Sequence, residues 1–221
     1  METKDLVTEY YLSPYDFVKE ILEATPTSQQ ESILKSLPNK KRISVRSGNG
    51  VGKTACEAWV ILWFMSTFPN CRVVCTAPTQ HQLFDVLWSE VNKWLNNSKL
   101  KNQFVCTATT IFNKDFPDTW FGVARASSEA VNFQGFHEEN ILFIVDEASG
   151  VEDDIWEAIR GSLTTKNSYA LLFGNPNFLE GFFYHSFHKN ASMWNNFHFS
   201  GLESPRVEKN FIEEIIKDGM N

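Results

Sequence analysis

The sequence has few cysteines, and none of them form a C-x-x-C pair. Its four cysteines are Cys56, Cys71, Cys75 and Cys106. Zinc knuckles place their thiolates in close pairs, and the spacing of Cys71 and Cys75 suits a strand better than such a knuckle. We therefore interpret all four cysteines as small, reduced side chains of an apolar core.

A long apolar run is lacking as well. The longest one, residues 58–65 (AWVILWFM), is too short to cross a bilayer, for which about 20 residues are needed. The first residues, METKDLVTEYYL, are acidic and polar, unlike a secretion signal. These absences predict a soluble protein of the cytoplasm.

Basic residues are in deficit, with 20 Lys and Arg against 27 Asp and Glu and a net charge of −7. Because nucleic-acid binding depends on Lys and Arg that neutralise phosphates, this balance argues against extensive wrapping of nucleic acid. Local basic patches remain at residues 40–42 (KKR) and at Lys99 and Lys101, although short runs of this kind are usually solvated surface.

Strand-like and helix-like segments alternate along the 221 residues, without repeats or long linkers. Residues 141–145 (ILFIV) and 169–173 (YALLF) are apolar runs of the kind that a strand buried on both faces needs. The alternation predicts an α/β fold with a mainly parallel central sheet flanked by helices on both faces, which binds ligands at the carboxyl ends of its strands. The other predicted strands are residues 42–46, 72–76, 104–107, 119–124 and 197–200. The predicted helices follow residues 13–16 and 27–30 and cover 54–68, 81–95, 153–163 and 206–217.

Residues 47–54, SGNGVGKT, nearly match the phosphate-binding pattern G-x-x-x-x-G-K-[ST], with a serine in the first position. Glycine is needed where φ is positive or where a side chain would strike phosphate, and successive N–H groups then replace the water around a triphosphate. Lys53 is expected to reach the β and γ phosphates, and the Thr54 hydroxyl to bind Mg²⁺. The alternative is a glycine-rich turn with a solvated lysine, but the predicted strand before the loop and helix after it favour a nucleotide site. The predicted nucleotide-binding residues of the loop are Ser47, Gly48, Asn49, Gly50, Val51, Gly52, Lys53 and Thr54.

Two adjacent carboxylates, Asp146 and Glu147, follow the apolar run 141–145. At that strand end Asp146 would hold Mg²⁺ through its water shell, and Glu147 would act as the general base that polarises the attacking water. Vicinal acids also occur at strand ends and helix caps without such a role. Together with Lys53 and Thr54, they favour hydrolysis of a nucleoside triphosphate.

Several blocks resemble the large subunit of the terminases of tailed phages, in the order of that family. The blocks are SGNGVGKT, TAPTQHQ (76–82), FQGFH (133–137), LFIVDEAS (142–149), LLFGNPN (171–177) and FHFSGLESPR (197–206). The resemblance, which runs from about Gln30 to the C-terminus, implies a P-loop NTPase of the ASCE/RecA-like class that uses ATP and Mg²⁺ to move double-stranded DNA into proheads. It also implies a homo-oligomeric ring, with the terminase small subunit and the portal protein as partners.

The resemblance also implies roles for single residues. Gln30 stands where the family reads adenine, although Thr27 and Gln30 equally form a helix capping box. Thr76 and Thr79 match a block that positions DNA or merely caps the next helix. Asn175 matches the coupling motif and is expected to sense the γ-phosphate; the alternative is a simple Asn-Pro turn.

Phosphoryl transfer to water usually requires an arginine that stabilises the transition state. Some relatives carry one inside the phosphate loop, where this chain has Asn49. Of Arg46, Arg125 and Arg160, we expect Arg125 to be a finger that acts in a neighbouring subunit and Arg160 to lie on a surface helix. The FQGFH block is interpreted as structural, with DNA contact as the alternative.

The resemblance implies a division into an N-terminal helical segment on the adenine side, residues 1–38, and an ATPase core, residues 39–221. Full terminase subunits carry a second, metal-dependent nuclease domain, and we expect none in this chain and no nuclease activity from it. Two alternatives remain. One is a DEAD-like helicase fragment; the block GNP argues against it, because such helicases usually have Ser-Ala-Thr at that place. The other is a prophage remnant that binds nucleotide or a partner without turnover.

Overall fold

The computed structural model describes residues 9–127, 133, 135–136 and 138–210 of the chain. Within these residues, eight strands form one sheet in the order β3-β4-β5-β2-β6-β7-β1-β8. The six strands from β5 to β8 in that order are parallel, and β3, β4 and β5 are joined by antiparallel pairing at one edge. The mainly parallel α/β sheet is therefore confirmed. The strands are β1 (Arg42–Ser47), β2 (Arg72–Thr76), β3 (Phe104–Cys106), β4 (Thr110–Asn113), β5 (Phe121–Ala124), β6 (Asn140–Val145), β7 (Asn167–Gly174) and β8 (Asn195–Phe199).

Helices cover both faces of the sheet. A π-helical segment, His81–Trp88, leads directly into α4. Single 3₁₀ turns lie at Ala148–Gly150, Ala191–Met193 and Gly201–Glu203. The α-helices of the described residues are α1 (Pro14–Glu20), α2 (Ser28–Ser36), α3 (Lys53–Thr67), α4 (Ser89–Asn96), α5 (Asp153–Ser162) and α6 (Gly181–Phe187).

Strict alternation along the central strands divides the core into two layers. In β6, Leu142 and Ile144 pack with α1 to α4, whereas Ile141, Phe143 and Val145 pack with α5 and α6. Successive side chains of a strand point to opposite faces, so a run without polar residues is what a sheet covered on both sides requires. The helix α3 is buried on nearly every side, because it lies between the sheet and the helices α1, α2 and α4.

Four features of the fold differ from the sequence prediction. The strand β4 and the helix α6 were not predicted, and the segment predicted as one helix at residues 81–95 begins with a π-helical turn. Of the helix predicted for residues 206–217, residues 206–208 are not helical, Lys209 and Asn210 are helical, and residues 211–217 lie outside the described residues. Thr110–Asn113 has only two buried positions, which is too short an alternation to recognise before its pairing with β5 is known.

The N-terminal helices belong to the same core layer as the helix α3. Phe17 of α1 and Ile33 and Leu34 of α2 are fully buried in that layer. The cysteines are free thiols, and Cys56, Cys71 and Cys75 are buried as predicted. Cys106, which was also predicted to be buried, is only partly buried, because it lies in the edge strand β3. Among the described helices, none is long and apolar enough to cross a membrane.

Candidate nucleotide site

The glycine-rich segment forms a loop between the end of β1 and the start of α3. Ser47 is the last residue of β1, paired with Phe199 of β8, and its hydroxyl donates to the Gly48 carbonyl. Gly50 and Gly52 have φ values of +73° and +91°, in the left-handed region that favours glycine. The serine variant is thus accommodated inside the strand, and the positive φ angles fall on glycines. Val51 turns its side chain into the core, which leaves only its backbone to a ligand.

Gln30 joins the N-terminal helices to this loop. Its Oε1 accepts from the Thr27 N–H at 2.9 Å, and the Thr27 hydroxyl accepts from the Gln30 N–H, which completes a capping box. Its Nε2 donates to the Gly52 carbonyl at 2.8 Å. The structure therefore forms the capping alternative and buries the side chain completely. An adenine contact of Gln30 stays a prediction.

Three predicted catalytic side chains meet at the loop. The ammonium of Lys53 donates to Asn175 Oδ1 at 2.6 Å and lies 3.2 Å from Glu147 Oε1. Asn175 in turn donates through Nδ2 to Asn49 Oδ1 at 2.8 Å. Lys53 begins α3, Glu147 follows β6 and Asn175 follows β7, so the carboxyl ends of neighbouring parallel strands bring them together.

The turn after β6 has an unusual backbone. Glu147 has a φ of +46°, and its N–H donates to Asp146 Oδ1 at 2.8 Å. The turn lies against the end of β7, where a Cβ on Gly174 would be 3.0 Å from the Ala148 nitrogen. A left-handed conformation at a non-glycine residue costs of order 1–3 kcal/mol, and such residues cluster at functional sites. Here the strain directs the Glu147 carboxylate towards Lys53.

Asp146 is almost enclosed, with 4% of its surface exposed. Burial and the Glu147 carboxylate together raise its pKa to about 6. Beside it, one helical turn after Lys53, stands Glu57, which is 0% exposed. Neither carboxyl oxygen of Glu57 has a hydrogen-bond partner among the described residues. Burial, followed by the nearby Asp146, raises the pKa of Glu57 well above its usual range.

The donor set at this edge fits Mg²⁺ rather than a metal held wholly by protein. The Thr54 hydroxyl, in the first turn of α3, and the Asp146 carboxyl are oxygen ligands, the type that Mg²⁺ prefers. Among the described residues, no group of three or more His, Cys, Asp or Glu side chains is arranged to hold a metal. Mg²⁺ usually binds through one or two protein ligands, waters and the phosphates of its substrate, so this set is sufficient.

The two threonines after β2 have different surroundings. Thr79 accepts from the Gln82 N–H, which is the capping role that the sequence allowed. Thr76 is buried, and its hydroxyl has no hydrogen-bond partner among the described residues, although its carbonyl accepts from the Asp146 N–H. Thr76 therefore helps to place Asp146 through the backbone.

The arginines that the sequence suggested do not approach Lys53. Arg125 follows β5, four strand positions from β1, which is about 19 Å at the usual strand spacing. Its guanidinium lies over the Phe136 ring, with the carbon CZ 5.4 Å from the ring centre. Arg160 is on the surface of α5 in an ion pair with Glu157, and Arg46 is exposed. The role of Arg125 in a neighbouring subunit stays a prediction.

The FQGFH block is described only in part, because Gln134 and His137 lie outside the described residues. Phe133 is fully buried in the layer beneath α5, and Phe136 packs edge-on against Phe143. Both phenylalanines are therefore structural, as interpreted. Two residues near the loop were missed by the sequence interpretation, Glu57 and Arg206. Glu57 is marked by no motif and is placed by the burial of its helix. Arg206 ends the block FHFSGLESPR, but only the return of the chain after β8 brings it to the loop.

Comparisons with known proteins agree with this arrangement. A scan against models of protein families finds no match. The chain is 30% identical over 205 residues to the probable terminase large subunit of Enterobacteria phage P7, a match that includes 85% of this chain and 41% of that protein. The chain thus spans less than half the length of this curated relative.

Two solved structures share the fold. The large terminase ATPase domain of Thermus phage P74-26 superposes with a TM-score of 0.69 and 18% identity, over 94% of this chain and 91% of that one. The large terminase of a thermophilic bacteriophage, in complex with ADP, gives a TM-score of 0.63 and 15% identity, over 93% of this chain and 48% of that one. At these identities the likeness establishes the fold alone.

The parallel sheet, with a glycine loop between β1 and α3 and paired acids after β6, defines the class of P-loop NTPases. Within that class, the match to the phage P7 protein and the terminase fold identify the chain as a member of the phage terminase large-subunit family, in the region of its ATPase domain.

Proposed function

We propose that this chain is the ATP-hydrolysing motor domain of a phage terminase, which drives double-stranded DNA into proheads. The observation that supports it best is the meeting of Lys53, Glu147 and Asn175 at the end of the glycine loop. A structural turn has no need of a buried ammonium between a carboxylate and an amide. Such a group is suited to the γ-phosphate of a nucleotide.

The proposed mechanism follows from the positions of these groups. Backbone N–H groups of residues 48–54 and the N-terminus of α3 bind the phosphates, and Lys53 binds the β and γ phosphates. Thr54 and Asp146 would hold Mg²⁺, which when bound would supply positive charge beside the phosphates. The γ-phosphate competes for the Lys53 ammonium, which frees the Glu147 carboxylate to take a proton from the attacking water. Asn175, which bonds to Lys53 and Asn49, senses whether the γ-phosphate is present.

The wider assembly belongs to the same proposal. Arg125 completes the site of a neighbouring subunit, so that the active form is a homo-oligomeric ring in the host cytoplasm. The ring acts on double-stranded DNA with the terminase small subunit and the portal protein. Residues 1–38 form the segment on the adenine side and residues 39–221 the ATPase core. The bond between Gln30 and Gly52 provides the connection between them.

Release of phosphate from ATP by the purified chain tests the proposal. We expect Mg²⁺-dependent hydrolysis that rises with protein concentration, as an arginine supplied by a neighbour requires. In Lys53→Ala, the affinity for ATP should fall roughly 10- to 100-fold, because a charge-assisted hydrogen bond is lost. Titration with a fluorescent ATP analogue measures the affinity separately from hydrolysis.

Lys101→Ala is the matched control, since it removes an exposed lysine ahead of β3, at the far edge of the sheet. It should bind and hydrolyse ATP as the parent chain does. Binding without hydrolysis at any concentration or with added DNA would favour the non-hydrolysing alternative. Equal affinities of the parent and Lys53→Ala would refute the nucleotide site itself.

A further inference from the structure

The segment after β8 folds back over the glycine loop. It passes through a 3₁₀ turn, Gly201–Glu203, and a tight turn in which the Ser204 hydroxyl accepts from the Arg206 N–H. Because β8 pairs with β1, both strands end at the same edge, and the segment returns beside the loop. Val207 then packs against the core, with Cγ2 3.9 Å from where a Cβ on Gly50 would lie.

The side chain of Arg206 lies directly against Gly52. A Cβ built on Gly52 would be 3.2 Å from Cδ and 3.3 Å from Nε of Arg206, on the side where it also meets Gln30 Nε2. No larger residue fits at Gly52 while these side chains keep their places. The loop and the arginine stem therefore form one packed unit.

The charge of Arg206 is uncompensated. Within the described part of the chain, its guanidinium has no ion pair with a carboxylate and no hydrogen bond, and the side chain is exposed to solvent. By contrast, Lys53 is already engaged by Glu147 and Asn175. A free guanidinium beside an anion-binding loop adds positive potential at that point, and its planar donors match two oxygens of one phosphate.

We propose that Arg206 binds the β phosphate of the nucleotide held by the loop of its own chain. The inference rests on the proposed function, since it assigns a further contact of the same nucleotide. It differs from the role expected of Arg125, because Arg206 acts within one subunit and needs no ring. The segment 204–207 thereby becomes a part of the binding site that a bound phosphate would hold against the loop.

Equilibrium titration of the full chain with a fluorescent ATP analogue, ADP and AMP, at low and at high salt, tests this inference. We expect Arg206→Gln to weaken ATP and ADP binding about 10- to 100-fold, as the loss of a charge-assisted contact implies. Arg206→Lys should recover part of the affinity, because it keeps the charge but loses the fork of donors. The difference between the parent and Arg206→Gln should shrink at high salt.

Lys209→Gln is the matched control, since it removes one exposed positive charge from the same segment. It should bind ATP within about twofold of the parent, because an exposed charge without a direct contact contributes little. The thermal midpoint of unfolding without nucleotide should be the same for the three variants and the parent.

The outcomes separate this inference from the proposed function. If the parent chain binds ATP and Arg206→Gln binds it equally well, Arg206 has no role at the site and only this inference fails. An equal loss for Arg206→Gln and Lys209→Gln would mean general electrostatics and would also overturn it. A loss as large for AMP as for ATP would indicate stacking on the base instead of binding to the β or γ phosphate, which contradicts the inference as well. If the parent itself binds no nucleotide, the proposed function fails.

Discussion

Glu147→Gln should abolish turnover of ATP while leaving its binding intact. The glutamine keeps the shape of the side chain but cannot accept a proton from water, and general-base catalysis contributes about 10²- to 10⁴-fold. The glycine loop, Lys53 and Thr54 are unchanged, so the affinity for ATP should stay within a few-fold of the parent. The measurement is single-turnover phosphate release at saturating ATP and Mg²⁺, with the affinity from titration of a fluorescent analogue.

A neighbouring acid supplies the control for this experiment. Glu152 is exposed, stands just before α5 and makes no contact with Lys53. Glu152→Gln removes the same charge five residues further on and should hydrolyse ATP at the parent rate. If Glu147→Gln retained hydrolysis within about tenfold of the parent, below the usual contribution of a general base, Glu147 would not be the base. The 3.2 Å contact with Lys53 would then be a structural ion pair.

The centre of the sheet could be predicted from the sequence, because its strands do not alternate between apolar and polar residues as half-buried strands do. Ile141 to Val145 can be buried on both faces only in a covered parallel sheet, and the structure places this run at the centre. The antiparallel edge of the sheet was harder to predict. The short strand Thr110–Asn113 depends on pairing with β5, and the helix α6 is buried by packing against α5, where Phe182 stacks on Trp156. Neither pairing nor packing is visible along one segment.

The candidate site likewise has a part that the sequence predicted and a part that it did not. Lys53, Asp146 and Glu147 were predicted because each follows a strand, and carboxyl ends of parallel strands meet at one edge. The direct bonds of Asn175 to both Lys53 and Asn49 depend on β7 lying beside β1, which chain order does not reveal. Gln30 could be placed in a capping box from sequence, but its bond to Gly52 is a contact across 22 residues. Sequence patterns identified the residues, and only the sheet order identified their partners.

Replacement of the buried Glu57 should have a large effect on the stability of the fold. It is completely buried, and neither of its carboxyl oxygens has a hydrogen-bond partner among the described residues. After burial, the nearby Asp146 carboxyl has the largest effect on its pKa. Two carboxylates are both acceptors and can bond only if one carries a proton. The raised pKa of Glu57 is consistent with that proton remaining on the pair near neutral pH.

The sign of the pH dependence follows from the direction of these shifts. A carboxyl whose pKa is raised on folding holds more protons in the folded state, so the free energy of unfolding falls as the pH rises above the unfolded value. For Glu57 that fall begins near pH 4.5, its ordinary value, and ends at its raised pKa. For Asp146 it extends from pH 3.8 to about 6. Without Mg²⁺, these two carboxyl groups should therefore contribute most to the free energy of unfolding at acidic pH and lose that contribution as the pH rises.

Glu57→Met replaces a buried carboxyl that has no hydrogen-bond partner by an apolar side chain of nearly the same volume. It also removes the titration of this group. We expect it to raise the free energy of unfolding by about 1–3 kcal/mol at pH 8, the usual cost of a buried polar group without a partner. The gain should shrink as the pH falls through 4.5, because below that value the carboxyl becomes protonated in the unfolded state as well as in the folded one. Urea denaturation in EDTA at pH 5 and pH 8 measures both, with Glu57→Gln as the matched variant whose amide can donate to Asp146 without titrating. A less stable Glu57→Met at pH 8, or a difference that does not change with pH, would mean that Glu57 is charged and compensated. If Glu57→Met is more stable than the parent, the Glu57 carboxyl destabilises the fold. Glu57 would then be an acid that lowers stability while lying beside the groups proposed to bind the nucleotide.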